Sequence, residues 1–413
     1  MIKKKILFVC QYFYPETFRG NDIAFHWAAE GHEIHVVTGI PNYPDGKFFS
    51  GYGIFKKRHE IIKGVHITHL PIVPRGKDNK IMLMLNYFSY LAIGWIWMFF
   101  HAMLHKYDFV FCQQLSQVTM SSPAVLYKKM RNVPLYTWVL DLWPESLQVA
   151  GNININNNTI LGFFNLFVKS EYKNSDKILT SSRNFDKSIL KYGAYKDKII
   201  YFPQWSDGVS NTSSPDFALP EKLLQLSNGT NFIVMFAGAI GEAHGMECNM
   251  QAALKTKEHK DIKWVIVGDG RKLDWVRSFI ADNGLADTVL TFGRFPSETM
   301  PKFFEKADVM LVSLNDSPLF NMYSPAKIAS YMAAGKPIIA ALNGEGREVV
   351  EASNCGWAVK AGDSEALSRL IVELAQSDRH ALSEKGKNGK DYYDKFFTKE
   401  KSLTTLDNIV GLL

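Results

Sequence analysis

The chain has 413 residues, too many for one ordinary domain, so two or three are expected. Its composition, 46% hydrophobic and 21% charged with no low-complexity tract, excludes a disordered or fibrous protein. The net charge of +6 comes without a Lys/Arg run interleaved with aromatics, which argues against nucleic acid and leaves anionic small molecules or an anionic membrane surface as partners.

The cysteines Cys10, Cys112, Cys248 and Cys355 stand far apart with no Cys-x-x-Cys, and read as reduced, buried thiols of a cytosolic protein. The N-terminal Met1-Ile-Lys-Lys-Lys runs straight into Ile6-Leu-Phe-Val9. That apolar run is too short for a signal peptide and is expected as a first parallel strand. A loop through Gly20, a helix over 21–30 and a strand over 33–38 follow, the opening of a doubly wound α/β domain. The first loop lacks Gly-x-Gly-x-x-Gly, which discounts a nicotinamide cofactor. Pro41-Asn-Tyr-Pro-Asp-Gly46 is a turn-rich loop at a strand's C-terminal end, the usual ligand side.

Residues 81–104 contain no Asp, Glu, Lys or Arg. As a helix the segment would be roughly 36 Å long, enough to span a bilayer. Residues 109–112 read as a strand of the same sheet as 6–10, and a spanning helix would put the two on opposite sides of the membrane. A monotopic helix is therefore expected. Asn86, Tyr90, Gly94, Trp97 and His101 form a weakly polar stripe along it, and Arg75, Lys77, Lys80 and Lys106 flank it, as suits an anionic leaflet. A strand ending at Asp141 places a carboxylate on the ligand side of the sheet. A polar loop over 151–158, helices over 161–174 and 183–192, and a linker running to Pro220 complete the first half.

A second αβ alternation starts at Asn231. Its first strand leads into Gly238-Ala-Ile-Gly-Glu-Ala-His-Gly245, a glycine-rich loop, and later strands end at Gly268-Asp-Gly270 and Gly293-Arg294. In Ser324-Pro-Ala-Lys327 the serine is expected as a helix N-cap and the proline as the first helical residue, with Gly335 and Pro337 as the stop. A helix N-terminus after a strand offers free N–H groups and a positive dipole end to an anion, and Lys327 in the first turn adds charge to it.

Several stretches then share one resemblance: Tyr12-Phe-Tyr-Pro-Glu16 with Phe18-Arg-Gly-Asn-Asp22, Thr38-Gly-Ile-Pro-Asn-Tyr-Pro44, Asp141-Leu-Trp-Pro-Glu-Ser146, Gly293-Arg-Phe-Pro296, Met300-Pro with Ala307-Asp308, and Ser324-Pro-Ala-Lys327 with Ala334-Gly-Lys-Pro337. On these the chain resembles the GT-B-fold glycosyltransferases of family 4, in the bacterial subgroup that adds (amino)sugars to polyprenyl-diphosphate-linked glycans in O-antigen, capsule or colanic-acid synthesis.

The resemblance implies two Rossmann-like domains facing across a cleft. The acceptor-binding domain would cover 1–202, with its membrane-associating helix at 81–104. A linker at 203–220 would lead to a nucleotide-sugar-binding domain at 221–395 and a crossover helix at 396–413. It also implies retaining transfer of a hexose or N-acetylated aminosugar from a nucleotide-sugar, a UDP-sugar in most of the family, with no bound cofactor and no metal. The work would be done at the cytoplasmic face of the plasma membrane.

Carried over, Glu16 and Asp141 stand around the transferred sugar and acceptor. Gly20 and Asn21 face the donor diphosphate from the first domain, and Gly241, His244, Arg294, Ser324 and Lys327 hold the donor. The family's pair of glutamates would fall at Met322 and Ser330. Ser330 therefore replaces the ribose-binding carboxylate, and Glu345 is a candidate to supply it. Glu242 in the glycine loop is expected to repel phosphate. These departures motivate two alternatives, an inactive membrane scaffold and a sugar-nucleotide epimerase.

Overall fold

The structure is a computed structural model that describes residues 2–77, 79–147, 158–206, 217–227, 229 and 231–413. The polar loop expected from residue 151 and most of the linker lie outside the described residues. The chain divides into two units, Met1–Pro203 with Leu403–Leu413, and Gln204–Ser402.

Among the described residues the first unit holds an eight-stranded sheet. Its strands are β1 (Lys5–Val9), β2 (Glu33–Gly39), β3 (His59–Ile62), β4 (Val65–Leu70), β5 (Phe109–Gln114), β6 (Leu135–Val139), β7 (Lys177–Thr180) and β8 (Ile199–Tyr201), in the order β3-β4-β2-β1-β5-β6-β7-β8. All pairs are parallel except β3 with β4. The 6–10 and 109–112 segments pair directly, Ile6 beside Phe109 and Val9 beside Cys112. Buried on both faces, these strands read as continuous apolar runs.

The second unit holds a six-stranded sheet of β9 (Phe232–Ala237), β10 (Ile262–Val267), β11 (Val289–Thr291), β12 (Val309–Ser313), β13 (Ile338–Ala341) and β14 (Gly356–Val359), in the order β11-β10-β9-β12-β13-β14. Alternate residues of β9 feed two separate cores. Ile233 and Met235 pack on one side of the sheet, Val234 and Phe236 on the other, as the period of two requires.

Helices α1 (Arg19–Ala29), α2 (Lys80–Leu104) and α3 (Ser122–Arg131) flank the first sheet. The polar stripe of α2 faces inward, with Asn86, Tyr90, Gly94 and His101 all buried. Asn86 accepts from Gln11 at 2.7 Å and donates to the Val73 carbonyl at 2.6 Å, and the Tyr90 hydroxyl donates to the Cys10 carbonyl at 3.1 Å. Gly94 admits Pro123 of α3, whose Cγ would lie 2.8 Å from an added Cβ. The face turned outward is the apolar one: Ile96 is 63%, Phe100 61% and Leu104 80% exposed.

The segment expected as one helix over 183–192 is three short turns, because Phe185 and Ile189 are buried while no longer apolar face exists. The last helix, Lys399–Val410, belongs to the first unit from Leu403 onward. There Asp407 accepts from Trp27 at 2.7 Å and pairs with His26 at 2.8 Å.

Candidate functional site

In the second unit, loops at the C-terminal ends of β9, β10 and β11 are laced together by their backbones. Gly238 N–H donates to Val267 O, Ile240 N–H to Asp269 O and Gly268 N–H to Gly293 O, at 2.8, 2.9 and 2.7 Å. The approach is so close that an added Cβ at Gly268 would lie 1.8 Å from the Gly238 carbonyl oxygen. Gly268 is also at φ +147, so glycine is required there on both counts. The resulting cavity of about 970 Å³ is lined by Gly238, Gly268, Asp269, Gly270, Arg294 and Phe295, among others.

Lys327 packs over Gly238, where an added Cβ would lie 2.4 Å from its Cε. Its Nζ lies 3.7 Å from the centre of the Phe236 ring, is buried, and has no hydrogen-bond partner. Burial pushes its pKa down to about 7. The helix carrying it, Ala326–Ala333, starts one residue later than expected. Pro325 occupies the cap position and no side chain caps the helix. Ser324 is therefore not the N-cap: Pro325, extended at ψ 130, stands between it and the first turn. The first-turn N–H groups that a capping serine would have taken have no side-chain partner.

The glycine loop is held rigidly. Asn315 donates to the Glu242 carbonyl at 2.6 Å, and Ser313 to the His244 carbonyl at 2.7 Å. His244 Nδ1 accepts the Gly241 N–H at 3.2 Å, so the neutral ring carries its proton on Nε2 as a free donor. Burial first, and then the charge of Lys327, hold this histidine down at about 4. Glu242 does not stand as a bare repulsive charge, because Lys272 pairs with it at 3.2 Å and with Glu247 as well. Ser330 is committed to Ser206, hydroxyl to hydroxyl at 3.2 Å. Glu345 is buried in the first turn of Glu345–Ala352, at the positive end of that helix. The next residue, Gly346, packs against Pro325 and Ile328 of the Lys327 helix.

In the first unit Glu16 is buried and stitches two loops. One carboxylate oxygen accepts the Asn42 and Tyr43 N–H groups at 2.7 and 2.6 Å, while the other is buried without a partner. Burial raises its pKa to about 7 against the pull of these N–H groups. Gly20 packs on Gln113, and the Asn21 amide donates to the Glu16 carbonyl at 2.7 Å. Asp141 accepts from the Ser146 hydroxyl and from the Trp143 indole at 3.2 Å, and is partly exposed. The structure thus groups Glu16, Gly20, Asn21 and Asp141 on the ligand side of one sheet and the remaining candidates on that of the other.

Reading the sequence missed Phe236 and Lys272. Phe236 looks like an ordinary strand residue, and nothing in one dimension shows its ring beneath an amine. Among the described residues no three His, Cys, Asp or Glu side chains are grouped to hold a metal.

Residues 231–377 match the family model for glycosyl transferases group 1. The probable glycosyltransferase WbjE of Pseudomonas aeruginosa is 25% identical over 63% of this chain and 66% of its own length, just under two thirds. WcaI of Escherichia coli K12, named for colanic acid biosynthesis, is 22% identical over 75% of each chain. Among solved structures, sucrose-phosphate synthase of Thermosynechococcus elongatus superposes with TM-score 0.74 at 15% identity, covering 99% of both chains. HepE of Anabaena, in complex with UDP, gives 0.69 at 14%, covering 99% of this chain and 100% of its own. A glycosyl transferases group 1 domain therefore occupies residues 231–377, within a fold of the GT-B glycosyltransferase type.

Proposed function

We propose that this glycosyltransferase of the GT-B type moves a hexose or N-acetylated aminosugar from a UDP-sugar, with retention, onto a polyprenyl-diphosphate-linked glycan during surface-polysaccharide synthesis. The observation that carries the reading is Lys327. A buried lysine amine with no hydrogen-bond partner, packed on a glycine-lined cavity beside an uncapped helix N-terminus, is incomplete without an anion. A nucleoside diphosphate supplies one, and the HepE structure named for its UDP complex supports the choice. Departure of UDP develops charge on its β-phosphate oxygen. Lys327 and the first-turn N–H groups, fixed in advance, stabilise that charge more in the transition state than in the ground state. His244 Nε2–H adds a neutral donor. Arg294 flanks the base, and Glu345 takes the ribose hydroxyls in place of Ser330.

On the first unit, Asp141 accepts a hydrogen bond from the acceptor hydroxyl and orients it for attack. No carboxylate nucleophile is invoked: the leaving phosphate takes the acceptor proton on the same face, which preserves the anomeric configuration. The exposed apolar face of α2 lies in the cytoplasmic leaflet, with Phe163 and Leu166 of the helix Asn158–Asn174 adding to the exposed apolar surface. Phe88 and Phe163 are 6.3 Å apart, so the two helices share one patch.

The test is UDP release by the purified protein in detergent, offered UDP-sugars with and without a short polyprenyl-diphosphate glycan. Acceptor-dependent release is expected. Isomerised sugar-nucleotide without acceptor, or no turnover with any donor, contradicts the reading.

A further inference from the structure

Arg75 is a half-buried cation held in place from several sides. Its own N–H donates to Asn42 Oδ1 at 3.0 Å, and its guanidinium lies 5.0 Å from the centre of the Tyr43 ring. Asn42 and Tyr43 are the two residues whose N–H groups Glu16 grips. Two residues upstream, Val73 is bound to α2 at both polar atoms: its N–H donates to Ser89 at 3.0 Å and its carbonyl accepts from Asn86 at 2.6 Å. One residue downstream, Gly76 N–H donates to Gly46 O at 3.0 Å. Both glycines have positive φ, +67 and +73, and a Cβ at Gly46 would lie 2.2 Å from the Gly76 carbonyl carbon. The chain has thus placed glycine at both positions where the backbones cross, fixing Arg75 between the β2 loop and the first turn of α2.

No carboxylate of the described residues lies within ion-pair distance of Arg75. Tyr87, on the same helix, lies within electrostatic reach of both Arg75 and Asp141, and its hydroxyl stands 3.4 Å from Ser116 Oγ. The buried Glu16 carboxylate feels Arg75 from beyond ion-pair distance, and a preorganised guanidinium with no carboxylate bonded to it suits a planar, bidentate anion such as phosphate. It sits at the root of a helix whose outward face is apolar, where a lipid's charged head would come to rest.

We propose that Arg75, with Tyr43 beneath it and Tyr87 beside it, anchors the diphosphate of the lipid-linked acceptor, at a subsite of its own separate from the one that holds the donor nucleotide. This rests on the transfer reading above and names the residue that reads the acceptor's charge. The acceptor is then recognised twice, by its diphosphate at Arg75 and by its sugar hydroxyl at Asp141, with Tyr87 between them.

The test is calorimetric titration of the full chain in detergent with farnesyl diphosphate, a short lipid diphosphate, alongside farnesol, inorganic pyrophosphate and UDP. Farnesyl diphosphate is expected to bind more tightly than farnesol or pyrophosphate, to be indifferent to saturating UDP, and to weaken about tenfold or more in Arg75→Gln. Unchanged affinity in Arg75→Gln, competition by UDP, or equal binding of farnesol overturns the proposal. Equal binding of pyrophosphate assigns the site to a soluble anion and overturns the lipid acceptor. If Arg75→Gln loses its native near-ultraviolet circular dichroism, phenylglyoxal labelling of the wild type replaces it. Farnesyl diphosphate must then protect the Arg75 peptide in mass spectrometry, and unprotected labelling overturns the proposal. Loss of UDP binding by the wild type would undo the transfer reading alone, because the farnesyl diphosphate titration needs no turnover.

Discussion

The Lys327 amine nitrogen lies 3.7 Å from the centre of the Phe236 ring and has no hydrogen-bond partner. Such an amine is poised to gain a proton when an anion arrives. Its pKa, about 7 in the ligand-free site against 10.5 ordinarily, rises when a diphosphate supplies the missing partner. UDP binding at pH 8 is therefore expected to take up close to one proton, read from the binding enthalpy in buffers of different ionisation enthalpy. Zero uptake contradicts the assignment. In the ligand-free protein the unfolded chain binds more protons than the folded one between about 7 and 10.5, so stability rises with pH across that window. Lys327→Met removes this rise, and its melting temperature at pH 7 should equal or exceed that of the wild type. A large drop would mean the ammonium group stabilises the fold after all.

Asp141→Asn keeps the side chain's shape, its amide oxygen accepting from Trp143 and its NH2 donating to Ser146, while removing the charge that orients the acceptor hydroxyl. Transfer should fall about 10²-fold or more, the worth of holding a reactant in position, with UDP affinity within about twofold of wild type. A variant that transfers normally leaves Asp141 as a turn residue only.

Ile96, Phe100 and Leu104 are turned outward on α2 and mostly exposed. Replacing all three by serine removes apolar side chains worth about 1.5–3 kcal/mol each on full burial. Binding to phosphatidylglycerol vesicles should weaken at least about tenfold, with the thermal unfolding curve little changed. Unfolding of the variant would show that this face is packing surface rather than membrane contact.

Glu171 is buried, receives the Ser121 hydroxyl at 2.6 Å, and has its pKa raised by burial to about 8 from 4.5. The folded state then holds a proton that the unfolded state releases. The stability this gives is complete below 4.5 and is lost as pH rises through about 8. Glu171→Gln should match the wild type in urea unfolding at low pH and exceed it by a margin that grows up to pH 8. A constant difference across pH would place the charge elsewhere.

The central parallel strands were legible because strands buried on both faces must be apolar throughout, as Ile6-Leu-Phe-Val9 and Phe232 to Ala237 are, whereas β8 and β14, also parallel, are only partly buried and were not read. The loops that carry the site announced themselves through glycine and proline. The β3–β4 hairpin did not, because His59-Glu60 and His66 break the apolar pattern at a sheet edge. The stripe on α2 was visible, but periodicity gives a face and not its direction. Only the partners of Asn86 and Tyr90 show that the polar side is the inner one. Lys327 was singled out for its place in a helix turn. The property that matters, an amine buried on Phe236 and Gly238, arises from residues about 90 positions apart in sequence. Arg75 read only as a basic flank of a membrane helix, since its fixing depends on contacts with Asn42, Gly46 and α2.

The most direct test of the account is sugar transfer by Lys327→Met beside the wild type, using labelled UDP-sugars and a polyprenyl-diphosphate-linked glycan in detergent. The account predicts acceptor-dependent labelling of the lipid and release of UDP by the wild type, and a loss of about 10²-fold or more in the variant. Transfer by the variant at the wild-type rate, or no transfer by the wild type from any UDP-sugar, would contradict it.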